Sequence, residues 1–225
     1  MNTISNTPLA ALATIEACRK NKSTSLDLCG LDLTEIPKEI ADLTWLTELR
    51  ISKNQIKKIE GLSTLINLES LELENNQIKK MKGLSTLTKL KVLYLENNQI
   101  KKMKGLSTLT KLEVLYLENN QIKKIKGLRT LTSLTSLQIQ NNKITNIEPL
   151  LAFIPKGLML KWDDKLKWEE KSIIIKDNPL IKPDIETAKL GNDAILAYFT
   201  EKKRAKRSKK YQIASKVIQF MIKKR

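Results

Sequence analysis

Carboxylate and phenol side chains recur at a fixed interval in the middle of the chain. Glu74, Glu96 and Glu118 follow one another at intervals of 22 residues, and Tyr94 and Tyr116 keep the same interval two positions earlier. Two carboxylates act as general acid and general base only when their surroundings hold one of them protonated. Here the neighbouring residues repeat along with the glutamates, so each carboxylate has nearly the same surroundings. The pattern therefore predicts a binding surface and no catalytic residues.

Other residue types that carry chemistry are missing from the sequence. There is no histidine, which excludes Ser-His-Asp and Cys-His catalysis and histidine metal sites. Cys18 and Cys29 give neither a disulfide framework nor the spacing of a metal site, and no GxxxxGKS/T phosphate loop occurs. We therefore expect a protein that is not an enzyme and that binds no cofactor, metal or small-molecule substrate.

The chain is strongly basic, with a net charge of +17. Residues 201–225 hold 11 of the 41 basic residues and one of the 24 acidic ones, a net +10, which leaves +7 for the first 200 residues. Basic clusters favour nucleic acid or anionic membranes, but arginine, the better side chain for base and phosphate contacts, is scarce. With no run of 18 apolar residues, no secretion leader and no disulfide pattern, we expect a cytoplasmic protein.

A unit of 22 residues repeats five times between residues 46 and 155. Its shared frame is LxxLxLxxNxIxxIxxLxxL, and the stretch LENNQIKKMKGLSTLTKL occurs unchanged at 73–90 and at 95–112. The alternating LxL part is typical of a half-buried strand, and the rest of the unit is too short for much helix. Because one unit cannot bury its aliphatic residues alone, the units are expected to stack with their strands parallel, about 4.8 Å apart.

These units resemble leucine-rich repeats, whose period is about 20–29 residues, and the 22-residue form resembles the internalin-like class. The resemblance covers Ser23 to about Pro155. It implies a right-handed, horseshoe-shaped α/β solenoid with a parallel β-sheet on the concave face and helical caps at both ends. It also implies that the protein binds other proteins.

The repeats are predicted to extend beyond the five regular units and to be capped. A helix is expected over residues 1–22, with Leu9, Leu12, Ile15 and Cys18 as its apolar stripe. A helical cap with a basic tail is expected over residues 183–225, with a helix from about Asn192. The units are bounded at 23–45, 46–67, 68–89, 90–111, 112–133, 134–155 and 157–182. In the last, divergent unit an insertion precedes the residues that restore the frame, which are Ile173, Ile175, Asn178 and Leu180.

The two flanks carry a second resemblance. The opening IEACRKNKSTSLDLCGLDLTEIPKEI and the close DNPLIKPDIETAKLGNDAILAYF resemble the leucine-rich-repeat domains of bacterial Roco proteins, in which a GTPase and a dimerisation domain follow the repeats. Without a phosphate loop, GTPase activity does not carry over. The resemblance implies an orphan regulatory domain of a Roco-type GTPase system as one alternative function.

Two columns of polar or small residues are predicted to shape the turns. An asparagine amide both donates and accepts hydrogen bonds, so it can satisfy backbone groups where each strand ends, and a glycine column permits a conformation or a contact barred to larger residues. We expect a structural role for both sets. They are Asn54, Asn76, Asn98, Asn120 and Asn142, and Gly61, Gly83, Gly105 and Gly127.

The strand positions between the frame leucines are predicted to point to the concave face. The central part of that face is acidic and carries two stacked tyrosines, which suits a basic protein partner, because tyrosine is a frequent interface anchor. The alternative is a merely solvated face whose residues recur because the units were duplicated. The residues predicted to bind a partner are Arg50, Glu72, Glu74, Tyr94, Glu96, Tyr116, Glu118 and Gln138.

Lysines follow each asparagine turn and are predicted to line one flank of the solenoid, away from the concave face. In the tail, Ile213, Val217, Phe220 and Met221 recur close to one helical face among lysines. Such a basic helix can lie on an anionic membrane, bind a groove of another protein, dock on its own body, or connect to a further domain. Binding of nucleic acid or an anionic membrane by the lysine flank and residues 201–225 is therefore the rival function.

Overall fold

Eight short strands form a single parallel sheet in the computed structural model, which describes residues 7–162 and 171–223, the side chains of Tyr211 and of residues 213–223 excepted. Helix α1 (Leu9–Asn21) precedes the sheet, and helices α2 (Ile185–Lys189) and α3 (Asn192–Lys223) follow it. The strands are β1 (Ser25–Asp27), β2 (Glu48–Arg50), β3 (Ser70–Glu72), β4 (Val92–Tyr94), β5 (Val114–Tyr116), β6 (Ser136–Gln138), β7 (Met159–Lys161) and β8 (Ser172–Ile174).

The strands lie in chain order except at the end of the sheet, where β8 pairs with β6 and β7 forms the outer edge. In the regular part, each strand pairs with the equivalent residues of the next unit, so Leu71, Leu93 and Leu115 are direct neighbours. Strand β7 lies in the segment predicted to be an insertion, and the part of that insertion at 163–170, which includes Trp168, lies outside the described residues. The predicted frame of the last unit is confirmed, because Ile173 pairs with both Leu137 and Leu160.

The frame residues form one continuous core. Leu71, Leu93 and Leu115 have no exposed surface, and the frame isoleucines Ile78 and Ile100 have none either. A buried aliphatic side chain of this kind contributes about 1.5–3 kcal/mol relative to an exposed one. Since each coil covers the leucines of its neighbour, stability comes from stacking rather than from any single unit.

The asparagine side chains lie in one column, where each bridges two coils. The amide nitrogen of Asn98 donates to the carbonyls of Leu73 (3.0 Å) and Leu95 (3.2 Å), and its oxygen accepts from the backbone N–H of Ile78 (2.9 Å). An unpaired buried backbone group would cost about 1–3 kcal/mol, so these bonds fix the coils in register. The same arrangement recurs at Asn54, Asn76, Asn120, Asn142 and Asn178.

The residue before each ladder asparagine turns the chain out of the strand. Asn75, Asn97 and Asn119 adopt φ values of 55°, 54° and 53°, in the left-handed region that asparagine tolerates better than most residues. In each Asn-Asn doublet, the first asparagine makes the turn and the second joins neighbouring coils. Only the role of the second asparagine was predicted. The glycine prediction is confirmed at Gly83, where a Cβ atom would lie 2.1 Å from the carbonyl oxygen of Ile59 at φ +106°.

Helix α1 covers the first coil with a face that includes Ile15 and Cys18 of the predicted stripe but not Leu9. Its buried residues are Ala11, Ile15 and Cys18, whereas Leu9 is 84% exposed. A step of three residues turns an α-helix by about 300°, so a stripe spaced by three drifts round the helix and places Leu9 opposite Cys18. The Cys18 thiol contacts the carbonyl of Ser23 (3.4 Å) beside β1.

The last coil is covered by α2 and by the first two turns of α3. Asp184 caps α2 by accepting a hydrogen bond from the backbone N–H of Thr187 (2.9 Å), and Ala188, Ile195 and Phe199 are buried. The Asn192 side chain accepts a hydrogen bond from the backbone N–H of Leu160 (2.9 Å) at the outer edge of the sheet. Helix α3 begins at Asn192, as predicted, and both ends of the solenoid carry helical caps.

The frame leucines allow a direct test of the stacked core. We expect Leu93→Ala to lower the free energy of unfolding by about 2–5 kcal/mol, because it removes a fully buried side chain and leaves a cavity. Leu9→Ala, at the exposed position of α1, is the matched control and should change it by about 0.5 kcal/mol or less. Urea unfolding followed by circular dichroism measures both. Equal losses in the two variants would contradict the assignment of the core.

Candidate functional site

The concave face is made by the side chains that flank the buried leucine of each strand. In β3, β4 and β5 the central residue is buried and the residues on either side are half-buried. Strand pairing places Glu72 beside Tyr94 and Tyr94 beside Tyr116. The sheet therefore brings together, in neighbouring columns, the acidic and phenolic residues that lie 22 positions apart in the chain.

The two tyrosines form a contact pair in the middle of this face. The ring centroids of Tyr94 and Tyr116 are 5.0 Å apart, and the ring planes are tilted by 33°, within the range that aromatic pairs prefer. Burial, and then the neighbouring Tyr116 and Glu72, raise the pKa of the Tyr94 phenol above its ordinary value. The hydroxyl stays protonated at neutral pH and can donate a hydrogen bond.

The carboxylates on the N-terminal side of the tyrosines are neutralised by Arg50. Its guanidinium lies 3.0 Å from the Glu72 carboxylate and 3.2 Å from that of Asp27. Arg50 was predicted to contact a partner, but its charge is already engaged within the sheet. Lys91 similarly lies 2.8 Å from the carboxylate of Glu69 at the edge of this face.

A column of three carboxylates remains without a basic partner. In each of Glu74, Glu96 and Glu118, the Oε2 atom is buried and has no hydrogen-bond donor. One residue per coil puts neighbouring members about 4.8 Å apart. We call these three residues the glutamate column. The glutamate column is therefore an unpaired negative charge on the concave face, which a cationic partner would neutralise.

The middle glutamate differs from its neighbours. Burial raises the pKa of Glu96 to about 7, opposed by its own backbone N–H and increased by the nearby carboxylates of Glu118 and Glu74. Burial also raises the pKa of Glu118. The expectation of nearly equal surroundings is therefore wrong for Glu96, which has a like charge on both sides. Its carboxyl is partly protonated near neutral pH and becomes fully charged when a cation approaches.

The predicted contact residues end before Gln138. Its side chain is only 6% exposed, and it accepts a hydrogen bond from the Gln140 amide (3.2 Å). The next residue in its column is Ile174, which is buried. Gln138 therefore closes one end of the open part of the concave face, which extends from Asp27 and Arg50 to Glu118.

A second charged surface lies on the flank that follows the asparagine turns. Of its lysines, Lys58 lies 3.8 Å from Glu60, and the other ten form no ion pair within the part of the chain that the structure describes. We call this surface the lysine flank. Its members are Lys57, Lys58, Lys79, Lys80, Lys82, Lys101, Lys102, Lys104, Lys123, Lys124 and Lys126.

The repeat frame, the parallel sheet and the asparagine ladder together define a protein built from leucine-rich repeats. The family model described as "Leucine Rich repeats (2 copies)" matches residues 66–108 and 110–152, and that described as "Leucine Rich repeat" matches residues 42–58. The matched residues are leucine-rich repeats. No match was found among curated proteins.

Three solved structures, each 22% identical in sequence, share the fold. An internalin of Listeria monocytogenes aligns over 80% of this chain and 67% of its own (TM-score 0.50). A leucine-rich-repeat protein of Leptospira interrogans aligns over 69% of this chain and 43% of its own (0.55), and YopM of Yersinia enterocolitica over 80% and 35% (0.57). The chain thus spans less than half of the last two structures. These likenesses show that this chain shares their fold, a solenoid of parallel strands.

The described residues offer neither a metal site nor a membrane span. No group of three or more His, Cys, Asp or Glu side chains there is arranged to hold a metal ion. In the same residues, no helix combines the length and the apolar character needed to cross a bilayer. The chemistry of the glutamate column is that of a hydrogen-bond acceptor for cationic groups.

The raised pKa of Glu96 predicts a pH-dependent stability. Because its pKa is about 7 in the folded protein and about 4.5 in the unfolded chain, its contribution is fully present below about pH 4.5 and is lost as pH rises through 7. Between acidic and mildly alkaline pH, we expect the ionisation of Glu96 to lower the free energy of unfolding by about 1 kcal/mol. This is less than the whole pKa shift would give, because solvent screens part of the effect. Glu96→Gln should remove that fall.

Urea unfolding at several pH values between these limits measures the difference. The control is Glu113→Gln, which removes an exposed carboxylate on the same side of the sheet and leaves Glu96 in place. This variant should keep the wild-type pH dependence. An equal loss of stability in Glu96→Gln and in the wild type as the pH rises would contradict the burial of the Glu96 carboxyl.

Proposed function

We propose that this protein is a non-catalytic protein-interaction module whose concave face binds a basic segment of a partner protein. The observation that carries the proposal is the glutamate column, in which three half-buried carboxylates lie one coil apart and form no ion pair with any described residue. Lysine and arginine side chains supply hydrogen-bond donors with a positive charge. Solenoid repeats in general use their concave surface for extended partners.

The tyrosine pair supports the same partner chemistry. Tyr94 and Tyr116 are half-buried and lie next to the glutamate column. The face of a tyrosine ring attracts a cation within about 6 Å, and tyrosine is frequent among residues that dominate binding energy. A basic side chain can therefore place its apolar stem on a ring and its charge on a carboxylate.

Binding accounts for the face better than catalysis does. The three carboxylates are accompanied on this face by phenols and amides. The Cys29 thiol lies 2.9 Å from the Ser52 hydroxyl at the end of the face, but burial raises the pKa of that thiol, which is the opposite of an activated nucleophile. The predicted cytoplasmic location and the resemblance of the flanks to Roco proteins stay predictions, and so does the alternative role as an orphan regulatory domain.

Removal of the tyrosine rings is expected to weaken binding. With a synthetic arginine- and lysine-rich peptide as the probe, Tyr94→Ala combined with Tyr116→Ala should raise the Kd about 10-fold, which corresponds to about 1.4 kcal/mol. The loss follows from the missing ring surface, and the fold should persist because neither ring belongs to the buried core. Fluorescence anisotropy gives the Kd, and circular dichroism checks the fold.

A charge-matched pair of variants locates the site. Glu74→Gln, Glu96→Gln and Glu118→Gln together should abolish most of the peptide binding. Glu35→Gln, Glu60→Gln and Glu148→Gln remove the same charge from exposed positions off the concave face and should bind as the wild type does. Equal weakening by both triple variants would show a general charge effect and would contradict binding at the concave face.

A second candidate function is binding of a polyanion by the lysine flank. The ten lysines without an ion pair to any described residue favour it, because stacked like charges repel one another until an anion neutralises them. A partner of this kind releases counterions, so its affinity falls steeply with salt.

The polyanion hypothesis predicts a specific effect of the flank lysines. Lys80→Gln, Lys102→Gln and Lys124→Gln together should weaken binding to single-stranded DNA or phosphatidylserine vesicles. The slope of the logarithm of the binding constant against the logarithm of the salt concentration should fall by roughly one for each phosphate that the protein no longer neutralises. Filter binding and vesicle sedimentation at several salt concentrations measure this. The Glu74, Glu96 and Glu118 triple Gln variant is the control and should bind at least as well as the wild type. Unchanged slopes would exclude the lysine flank.

A further inference from the structure

The second half of α3 leaves the body of the protein. Phe199 is the last buried residue among the described side chains of the helix, and Lys202 lies against the Tyr198 ring, 4.5 Å from its centroid. From 203 to 210 every side chain is exposed, whichever way it points. We call residues 201–223 the basic arm. At about 1.5 Å per residue the 32 residues of α3 extend about 48 Å.

The segment from 203 to 210 carries only positive charge. Six of the eight residues from 203 to 210 are basic, namely Lys203, Arg204, Lys206, Arg207, Lys209 and Lys210. None of these six side chains forms an ion pair with any described residue. Like charges three and four residues apart destabilise a helix by about 0.2–0.5 kcal/mol per pair, so an anionic surface beside the arm would stabilise it.

We propose that the basic arm of one copy binds the glutamate column of a second copy of this chain. The proposal rests on the proposed function, since it names the partner of the same concave face. The two surfaces carry opposite charges. The glutamate column has three half-buried carboxylates without a basic partner among the described residues, and residues 203–210 have exposed cationic donors without an acceptor among the described residues.

The spacing of the two surfaces also matches. At 100° per residue, Lys203, Arg207 and Lys210 lie within about 60° of one another on one face of the helix. The axial distance from Lys203 to Lys210 is about 10.5 Å at a rise of about 1.5 Å per residue. The glutamate column spans two strand spacings, about 9.6 Å. A helix lying along the column can therefore set one basic residue against each carboxylate.

A second copy fits the observations better than the arm's own body does. Helix α3 is continuous from Asn192 to Lys223, and the side chains of residues 203–210 are exposed. Docking of the tail on its own body through Ile213, Val217, Phe220 and Met221 stays a prediction, because those side chains lie outside the described ones. If each of two copies gives an arm and receives one, both faces are filled and the assembly closes as a symmetric pair.

The arm is the first surface to test, in the full chain after nuclease treatment. Analytical ultracentrifugation over a range of protein concentrations should show the wild type forming dimers. Lys203→Glu, Arg207→Glu and Lys210→Glu together should raise the dimer dissociation constant at least 10-fold. The control is Lys82→Glu, Lys104→Glu and Lys126→Glu, which makes the same change of net charge on the lysine flank and should leave dimerisation within about 3-fold of the wild type, apart from general charge screening.

A reciprocal variant makes the test independent of net charge. Glu74→Lys, Glu96→Lys and Glu118→Lys together should also abolish dimers, with circular dichroism and thermal unfolding to check the fold. A mixture of this variant with the arm variant should dimerise again, because the acidic arm then meets the basic face and the basic arm meets the acidic face. Recovery on mixing supports the proposal, and a mixture that stays monomeric while both variants are folded overturns it.

Three other results would also overturn self-association through the arm. They are a wild type that is monomeric at every concentration, a dimer that the arm variant retains, and a dimer that nuclease treatment dissolves, which would identify nucleic acid as the ligand of the arm. The basic peptide separates this failure from that of the proposed function. If the peptide still binds the concave face of a monomeric protein, the face recognises another basic partner and only self-association is excluded.

Discussion

The asparagine ladder fixes the separation of the coils, and the other features of the molecule depend on that separation. Each amide joins carbonyl groups of its own coil to backbone groups of the coil before it, as Asn98 does with Leu95, Leu73 and Ile78. With the register fixed, every frame leucine meets its equivalent in the next coil and loses its contact with water. The hydrophobic core is therefore assembled by a polar column at its margin.

The same register also aligns the side chains at equivalent variable positions of successive coils. Where they are glutamates, three carboxylates line up on the concave face, and where they are lysines, columns of ammonium groups line up on the flank. Both arrangements oppose folding by like-charge repulsion, which the body tolerates because solvent reaches most of these groups. At Glu96 solvent reaches less of the carboxyl, so its pKa rises instead.

Most of the fold follows from the sequence because the repeat frame encodes one interaction many times. The strand residues of the regular units, the core leucines and the start of α3 at Asn192 were all predictable from spacing. Strand β7 was not, since Met159–Lys161 carries no frame and gains its place only from pairing with β8. Helix α1 buries Ala11 rather than Leu9 because helical geometry, and not hydrophobicity alone, decides which residues share a face.

The position of the candidate site was predictable from the sequence. The pairing of its charges and the burial of its side chains were less so. Spacing alone places Glu74, Glu96, Glu118, Tyr94 and Tyr116 on one face. It does not reveal that Arg50 is engaged by Glu72 and Asp27, or that Gln138 is covered where the regular repeats end. These properties depend on contacts between a regular unit and an irregular neighbour, and such contacts leave no periodic signal.

Two coils of this solenoid share 18 consecutive identical residues, 73–90 and 95–112. Long identical coding stretches favour unequal recombination, and a recombination event between these two removes or adds one whole coil without disturbing the frame of its neighbours. Each such event changes the glutamate column by one carboxylate and its length by about 4.8 Å. The number of charges offered to a partner can thus evolve in whole steps, while the core of every coil stays the same.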